Sequence, residues 1–149
     1  MSSMPPSEII DQMMQKDAFS QWLGIERVEE GEGYCCLQLV VREDMLNGFG
    51  IAHGGISYSL ADSALAFASN SRGKHALSID TGISHLLPAF AGDTLLARAV
   101  EQHASHRIAQ YQVIVSNQKG QQVAIFKGIV FRKEKYWEIQ EDVTSTDHQ

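Results

Sequence analysis

The chain opens with Pro5-Pro6-Ser7 and then EIIDQMMQKDAF, whose apolar residues recur at helical spacing, so a capped amphipathic helix is predicted first. The following stretch, FSQWLGIERVEEGEGYCCLQLVV, predicts two strands joined by a turn at Gly31–Gly33, with Cys35, Leu37, Leu39 and Val41 sharing one face. REDMLNGFG predicts a loop. From about Gly54 to Asn70 the pattern is helical again, without proline, and Arg72-Gly73 supplies a stop. After it the period becomes two. In ALSIDTGISHLL, Leu77, Ile79 and Ile83 face one way while Ser78, Asp80 and Ser84 face the other.

Three further strands are predicted beyond Leu87, connected near Ala91–Asp93, Ser105–Arg107 and Asn117–Gly120. Tyr111, Val113 and Val115 alternate with Gln110 and Gln112, the pattern of a sheet with one buried face. The last strand, Val123 to Phe131, is apolar on both faces and is predicted to be central. A hairpin, one long helix and an antiparallel meander make an α+β layout. The sheet must curl around a helix that is apolar over most of its circumference. The expected organisation is a single domain over 1–149, with an N-terminal helical extension (about 5–20) and a polar C-terminal tail (about 133–149) that Trp137 could dock onto the domain.

Composition narrows the partners. The 149 residues are 44% hydrophobic and 20% charged, an ordinary globular balance, and the net charge is −6. That charge argues against nucleic acid or an anionic membrane, whose non-specific grip needs spare positive charge, but not against an anionic small ligand. No apolar run reaches membrane-spanning length, and MSSMPPSEII lacks the basic and apolar regions of a signal peptide. Cys35 and Cys36 are adjacent and cannot staple distant segments, so a cytoplasmic, reducing setting is expected. His103-x-x-His106 lies at a strand-end turn without a third ligand in range, so no metal site is expected. GFGIAHG lacks the spacing of a dinucleotide-binding loop.

Chemistry concentrates in the long helix. Between Gly54 and Ser71 the only charged residue is Asp62, flanked within a turn by Tyr58, Ser59, Leu60, Ala61, Ala64, Leu65 and Ala66. A lone helical carboxylate usually faces water. Here no wet face surrounds it, and a buried carboxylate is found where partners or function compensate. At the helix start, Gly54-Gly55 is either a plain turn or a bare set of N–H donors. Such donors carry partial positive charge and can stabilise an oxyanion as a thioester or ester is attacked. Asp62 would complete a hydrolytic site by activating water or attacking directly. Eight residues of helix nevertheless separate Gly54 from Asp62 by roughly 12 Å along the axis. If this chemistry is assumed, Gly54 of one copy must meet Asp62 of another across a two-fold axis.

MLNGFGIAHGGISYSLADSALAFA, followed by LSIDTGISHLLPAFAGDTLLARA, resembles the hotdog-fold acyl-CoA thioesterases of the phenylacetate-degradation type over roughly residues 20 to 132. The asparagine-to-HGG spacing, the helical aspartate and the proline-then-Gly-Asp turn carry the likeness. The resemblance implies a sheet wrapped around a central helix, pairing into a homodimer and often a tetramer. It also implies hydrolysis of acyl-CoA or aryl-CoA without metal or cofactor. By position it makes Asp62 the general base or nucleophile and Gly54 the backbone donor to the thioester oxygen. Asn47 and His53 would stand around the same carbonyl or water, and Ser78 would assist on the side of Asp62. Arg132, Lys133 and Lys135 cluster after the last strand and could meet CoA phosphates, or form a solvated strand end. The rival readings are a hotdog enoyl thioester hydratase or dehydratase, with His53 and Asp62 as its pair, and a non-catalytic acyl-CoA-binding protein.

Overall fold

The computed structural model describes residues 4–139. Helix α1 (Pro6–Lys16) has proline in its first turn, where a missing N–H costs nothing, and it buries Ile9 and Ile10. Asp17 ends it and at once caps α2 (Ala18–Leu23), its side chain accepting the N–H of Ser20; Gly24, at φ +75°, stops α2. The strand expected from Phe19 therefore begins only at Glu26. An acid cap and a left-handed glycine seven residues apart outweigh the strand preference of Phe19 and Trp22. Those two rings stay exposed and stack on each other at 6.1 Å between centroids.

Strands β1 (Glu26–Gly31) and β2 (Tyr34–Val40) form the predicted hairpin. Then come α3 (Gly54–Asn70), β3 (Lys74–His85), β4 (Thr94–Ala104), β5 (Ile108–Ser116) and β6 (Gln122–Tyr136). The six strands pair antiparallel in the order β1-β2-β4-β5-β6-β3. The meander is thus β4-β5-β6, and β3 leaves it to pair with β6 at the sheet edge. As expected, β6 is flanked on both sides. It runs on to Tyr136, so Lys133 and Lys135 are strand residues and not part of a tail; 140–149 lie outside the described residues.

The helix lies across the concave face of the sheet, the wrapped α+β arrangement that the hotdog resemblance implies. Leu60, Ala61, Ala64, Leu65, Phe67 and Ala68 of α3 are buried against Leu37 and Leu39 of β2, Leu95, Ala97 and Ala99 of β4, Val113 of β5 and Phe126 of β6. Each fully buried Leu or Phe contributes about 1.5–3 kcal/mol relative to exposure. The helix comes close to the sheet at Gly128, where an added Cβ would lie 2.6 Å from Leu65 Cδ2. Glycine makes that approach possible.

Asn70 fastens the C-terminal end of α3. It donates through Nδ2 to the carbonyls of Ala66 (2.8 Å) and Ala76 (3.0 Å), and its Oδ1 accepts from Ala76 N and Trp137 Nε1, both at 3.0 Å. The Trp137 ring also stacks on His75 at 4.1 Å, so the docking expected of it takes place. Strand β3 carries a bulge. Ser78 pairs with Val130 but Asp80 with Ile129, a slip of one residue at Ile79. Ser78, Thr81 and Ile83 consequently share the helix-facing side with Val130, Gly128 and Phe126. Leu77 falls on the opposite face, which splits the apolar row expected of Leu77, Ile79 and Ile83. Leu77 and Ile79 are 58% and 61% exposed.

Candidate active site

The loop before α3 is held by Asn47. Its Oδ1 accepts the N–H groups of Phe49 (2.9 Å) and Ile51 (3.4 Å), an Asx-type closure that turns the chain. The amide Nδ2 keeps both donors unspent among the described residues. His53 caps the helix: its N–H goes to the carbonyl of Met45, and its Nδ1 accepts the N–H of Gly55 at 2.9 Å. The ring must then carry its proton on Nε2. With Gly55 spent on this cap and Ile56 bonded to the His53 carbonyl, the N–H of Gly54 is the helix-start donor left without a protein acceptor among the described residues.

Gly54 opens into a cavity of about 440 Å³ that Asn47, Ser57, Leu86, Leu87 and Pro88 also line. His85, at the end of β3, lies against Gly54: a Cβ there would stand 3.1 Å from His85 Nε2. Sequence reasoning missed His85, because only the folding of β3 back along α3 brings it to the helix start. The one signal was its place at the end of a predicted strand, three residues before Pro88.

Asp62 stands two turns further on. Tyr58, one turn before it on the same side of α3, hydrogen-bonds Thr81, and Asn70 bonds Ala76 near the start of β3. Helix and strand therefore run antiparallel, and Asp62 falls between these contacts, alongside the Ser78 stretch of β3. Ser78 sits on the helix-facing side of this edge strand and is exposed. The carboxyl of Asp62 is half-buried, and its pKa is raised above the usual carboxylate range, first by burial and then by the negative charge of Asp17.

Within the chain, then, Asn47, His53 and Gly54 come together at one end of α3, joined by His85. Asp62 and Ser78 form a second group. Arg132, Lys133 and Lys135 lie at the opposite end of β6, beside Lys74–Ala76 in register, away from Gly54. Arg132 is occupied there, donating to the carbonyl of Ser105 at 2.8 Å. His106, from the histidine pair, bonds Glu134 at 2.7 Å. Among the described residues no group of three His, Cys, Asp or Glu side chains is placed to hold a metal ion, and no helix is long and apolar enough to cross a membrane.

Known proteins resemble this chain in sequence and fold. Acyl-coenzyme A thioesterase PaaI of Escherichia coli is 40% identical over 116 residues, covering 78% of this chain and 83% of the relative. The solved structure of E. coli PaaI, from the phenylacetic acid degradation operon, superposes with a TM-score of 0.86 at 36% identity, over 88% of this chain and 95% of that one. The structure of smu.793 from Streptococcus mutans, bound to acetyl CoA, does so with a TM-score of 0.73 at 29% identity, over 76% and 91%. The thioesterase superfamily itself matches residues 49–124, from the loop before the helix into the last strand. By that match and these relatives, the chain belongs to the thioesterase superfamily.

Proposed function

We propose that this protein hydrolyses acyl-CoA or aryl-CoA thioesters to the free acid and CoA, at a site shared by two copies of the chain. The observation that carries the reading is the division of α3, with a free N–H at Gly54 beside a cavity and a half-buried carboxyl two turns away. The relative named acyl-coenzyme A thioesterase and the neighbour bound to acetyl CoA support the substrate class.

The thioester oxygen accepts from Gly54, where the helix terminus favours developing negative charge. Ionised Asp62 either takes a proton from the water that attacks the carbonyl carbon, or attacks that carbon itself to give an anhydride that water then opens. In both routes the C–S bond breaks, CoA leaves as the thiolate and takes up a proton, and the acyl group gains one oxygen. A single turnover in ¹⁸O-water reveals the second route where water opens the anhydride at the Asp62 carbonyl, because the first product then carries an unlabelled oxygen from the carboxylate. Asn47 and His53 act beside Gly54 in this scheme, and Ser78 beside Asp62. No metal or cofactor is called for.

A homodimer follows from the roughly 12 Å of helix between the two groups. The free edge of β3, twelve residues long with Leu77 and Ile79 exposed, supports pairing with a second copy. Antiparallel pairing of two β3 edges brings each Gly54 toward the Asp62 of the other copy. It also turns the Lys74 end of β3, with Lys133 and Lys135 nearby, toward the partner's Gly54, where CoA phosphates would meet them. Further pairing of dimers into a tetramer is compatible with this site. The free, buried Cys35 and Cys36 support a reducing, cytoplasmic setting.

The test is thiol release from a panel of acyl- and aryl-CoA esters by wild type and Asp62→Asn. The variant should keep less than about a tenth of the rate, a barrier change of at least 1.4 kcal/mol. Hydration of an enoyl thioester without thiol release would overturn the reading in favour of a hydratase, and binding without turnover in favour of a sensor. Refolding Asp62→Ala together with Asn47→Ala should restore roughly a quarter of wild-type activity through dimers with one intact site. The plain average of the two parents would refute the shared site.

A further inference from the structure

The corner between α1 and α2 is tied to the middle of α3 by a chain of three polar groups. Asp17 Oδ1 accepts the N–H of Ser20 at 3.0 Å, and Asp17 Oδ2 accepts the Ser20 hydroxyl at 2.7 Å. Ser20 Oγ in turn lies 2.8 Å from Ser63 Oγ. An ionised carboxylate only accepts, so Ser20 gives its proton to Asp17 and Ser63 gives its proton to Ser20. Ser20, the middle of this link, is 1% exposed, while Asp17 and Ser63 are half-buried. Ser63 is the residue after Asp62, about 100° further around the helix. The chain therefore anchors α2 against α3 beside the carboxyl assigned to the chemistry.

A cap alone does not need an acid. Ser, Thr and Asn cap helices as well as Asp does. What Asp adds is a fixed negative charge on the side of α3 that faces α2. The remaining titratable groups around α3 are placed elsewhere. Cys35 faces it from β2, and burial pushes that thiol up to about 12, leaving it neutral. Tyr111 on β5 donates to Glu101, which pairs with Arg72 past the C-terminal end of α3. His85 lies at the N-terminal end against Gly54, and Tyr58 is bonded to Thr81. From α1, Ile10, Met13 and Met14 add no charge to the core.

We propose that Asp17 is a positioning residue for Asp62: through Ser20 and Ser63 it holds α2 on α3 and keeps a negative charge beside the reacting carboxyl, which makes that carboxyl a stronger base. The N-terminal helices thus become part of the active site instead of an appendage to it. The direction follows from Coulomb's law. A neighbouring negative charge disfavours ionisation of Asp62, and the raised pKa attributed in part to Asp17 agrees. A carboxylate with a higher pKa removes a proton more effectively once ionised.

This inference rests on Asp62 being the catalytic carboxylate, and the experiment keeps the two apart. The pH profile of kcat/KM would be measured for wild type, Asp17→Asn, Asp17→Ser and Asp62→Asn, with melting temperatures alongside. Both neutral residues are good caps, so α2 and the fold should be retained. The acidic limb should move to lower pH by a few tenths of a unit or more in both Asp17 variants, with a smaller change at the plateau. Altered packing alone would lower the plateau and leave the limb in place. An unmoved limb in a folded Asp17 variant, with Asp62→Asn inactive, overturns the proposal and leaves Asp62 standing. An active Asp62→Asn instead overturns the assignment of Asp62 itself.

Discussion

Replacing Gly54 by alanine should separate activity from stability. The added Cβ would lie 3.1 Å from His85 Nε2 and 3.2 Å from Cε1, a few tenths of an ångström inside ordinary contact. His85 is exposed and at the end of its strand, so its ring can swing aside at a cost of about 0.5–1.5 kcal/mol even if it must leave its rotamer. Against that, alanine is favoured over glycine in a helix by up to about 1 kcal/mol. The two effects nearly cancel, and the melting temperature should stay within about 4 °C of wild type. Activity has no such compensation. The methyl group stands next to the one unspent N–H of the helix start, and losing such a donor lowers kcat by about 10²–10³. Thiol release gives kcat and KM, and a thermal melt on the same sample gives stability. Adding His85→Ala removes the crowding but not the methyl, so kcat should stay low relative to His85→Ala alone. A folded Gly54→Ala enzyme with kcat within about threefold of wild type, less than 1 kcal/mol of barrier, would refute the assignment of Gly54 as donor.

Gly128→Ala should destabilise the fold by about 1–3 kcal/mol, because Leu65 is fully buried and has nowhere to retreat; urea denaturation measures it, and adding Leu65→Val should recover part of the loss. Asn70→Ala should cost at least about 2 kcal/mol by stranding Ala76 N and Trp137 Nε1, read in the same urea titration together with a change in tryptophan fluorescence. Asp62→Asn should melt higher than wild type at pH 7. A carboxyl whose pKa is raised on folding gives its full stability below its unfolded value and loses it as pH rises through the folded value. The gap should therefore close as the pH is lowered toward 4. An Asp62→Asn melt equal to wild type at both pH values would mean that burial does not strain this carboxyl.

Much of this was legible where signals are local. The bounds of α3, Gly54 to Asn70, follow from a histidine-glycine start and an Arg-Gly stop, and the hairpin and the meander follow from turn residues between alternating runs. The failures share a physical cause. Phe19 and Trp22 favour a strand, but a strand requires a partner, while α2 needs only its two caps. The bulge at Ile79 is a property of the β3–β6 register, and nothing within ALSIDTGISHLL records it. For the site, the group around Gly54 and the lone acid were readable one by one. The contact of His85 with Gly54 and the Asp17–Ser20–Ser63 chain join segments distant in sequence, and no spacing rule reaches them.

The place of β3 at the sheet edge also sets an order of events during synthesis. Its one neighbour in the sheet is β6, and the pairing of Lys74 with Tyr136 spans almost half the chain. When β3 leaves the ribosome neither of its edges has a partner, and it must wait through β4 and β5 before β6 arrives. In pulse-labelled hydrogen exchange its amides should gain protection no earlier than those of β6, and earlier protection would show that β3 finds another partner first. Until then a strand that carries Leu77, Ile79 and Ile83 is open on both sides, the condition in which chains aggregate. The strand that would recruit a second copy is the last to be secured, so folding must finish before assembly can begin.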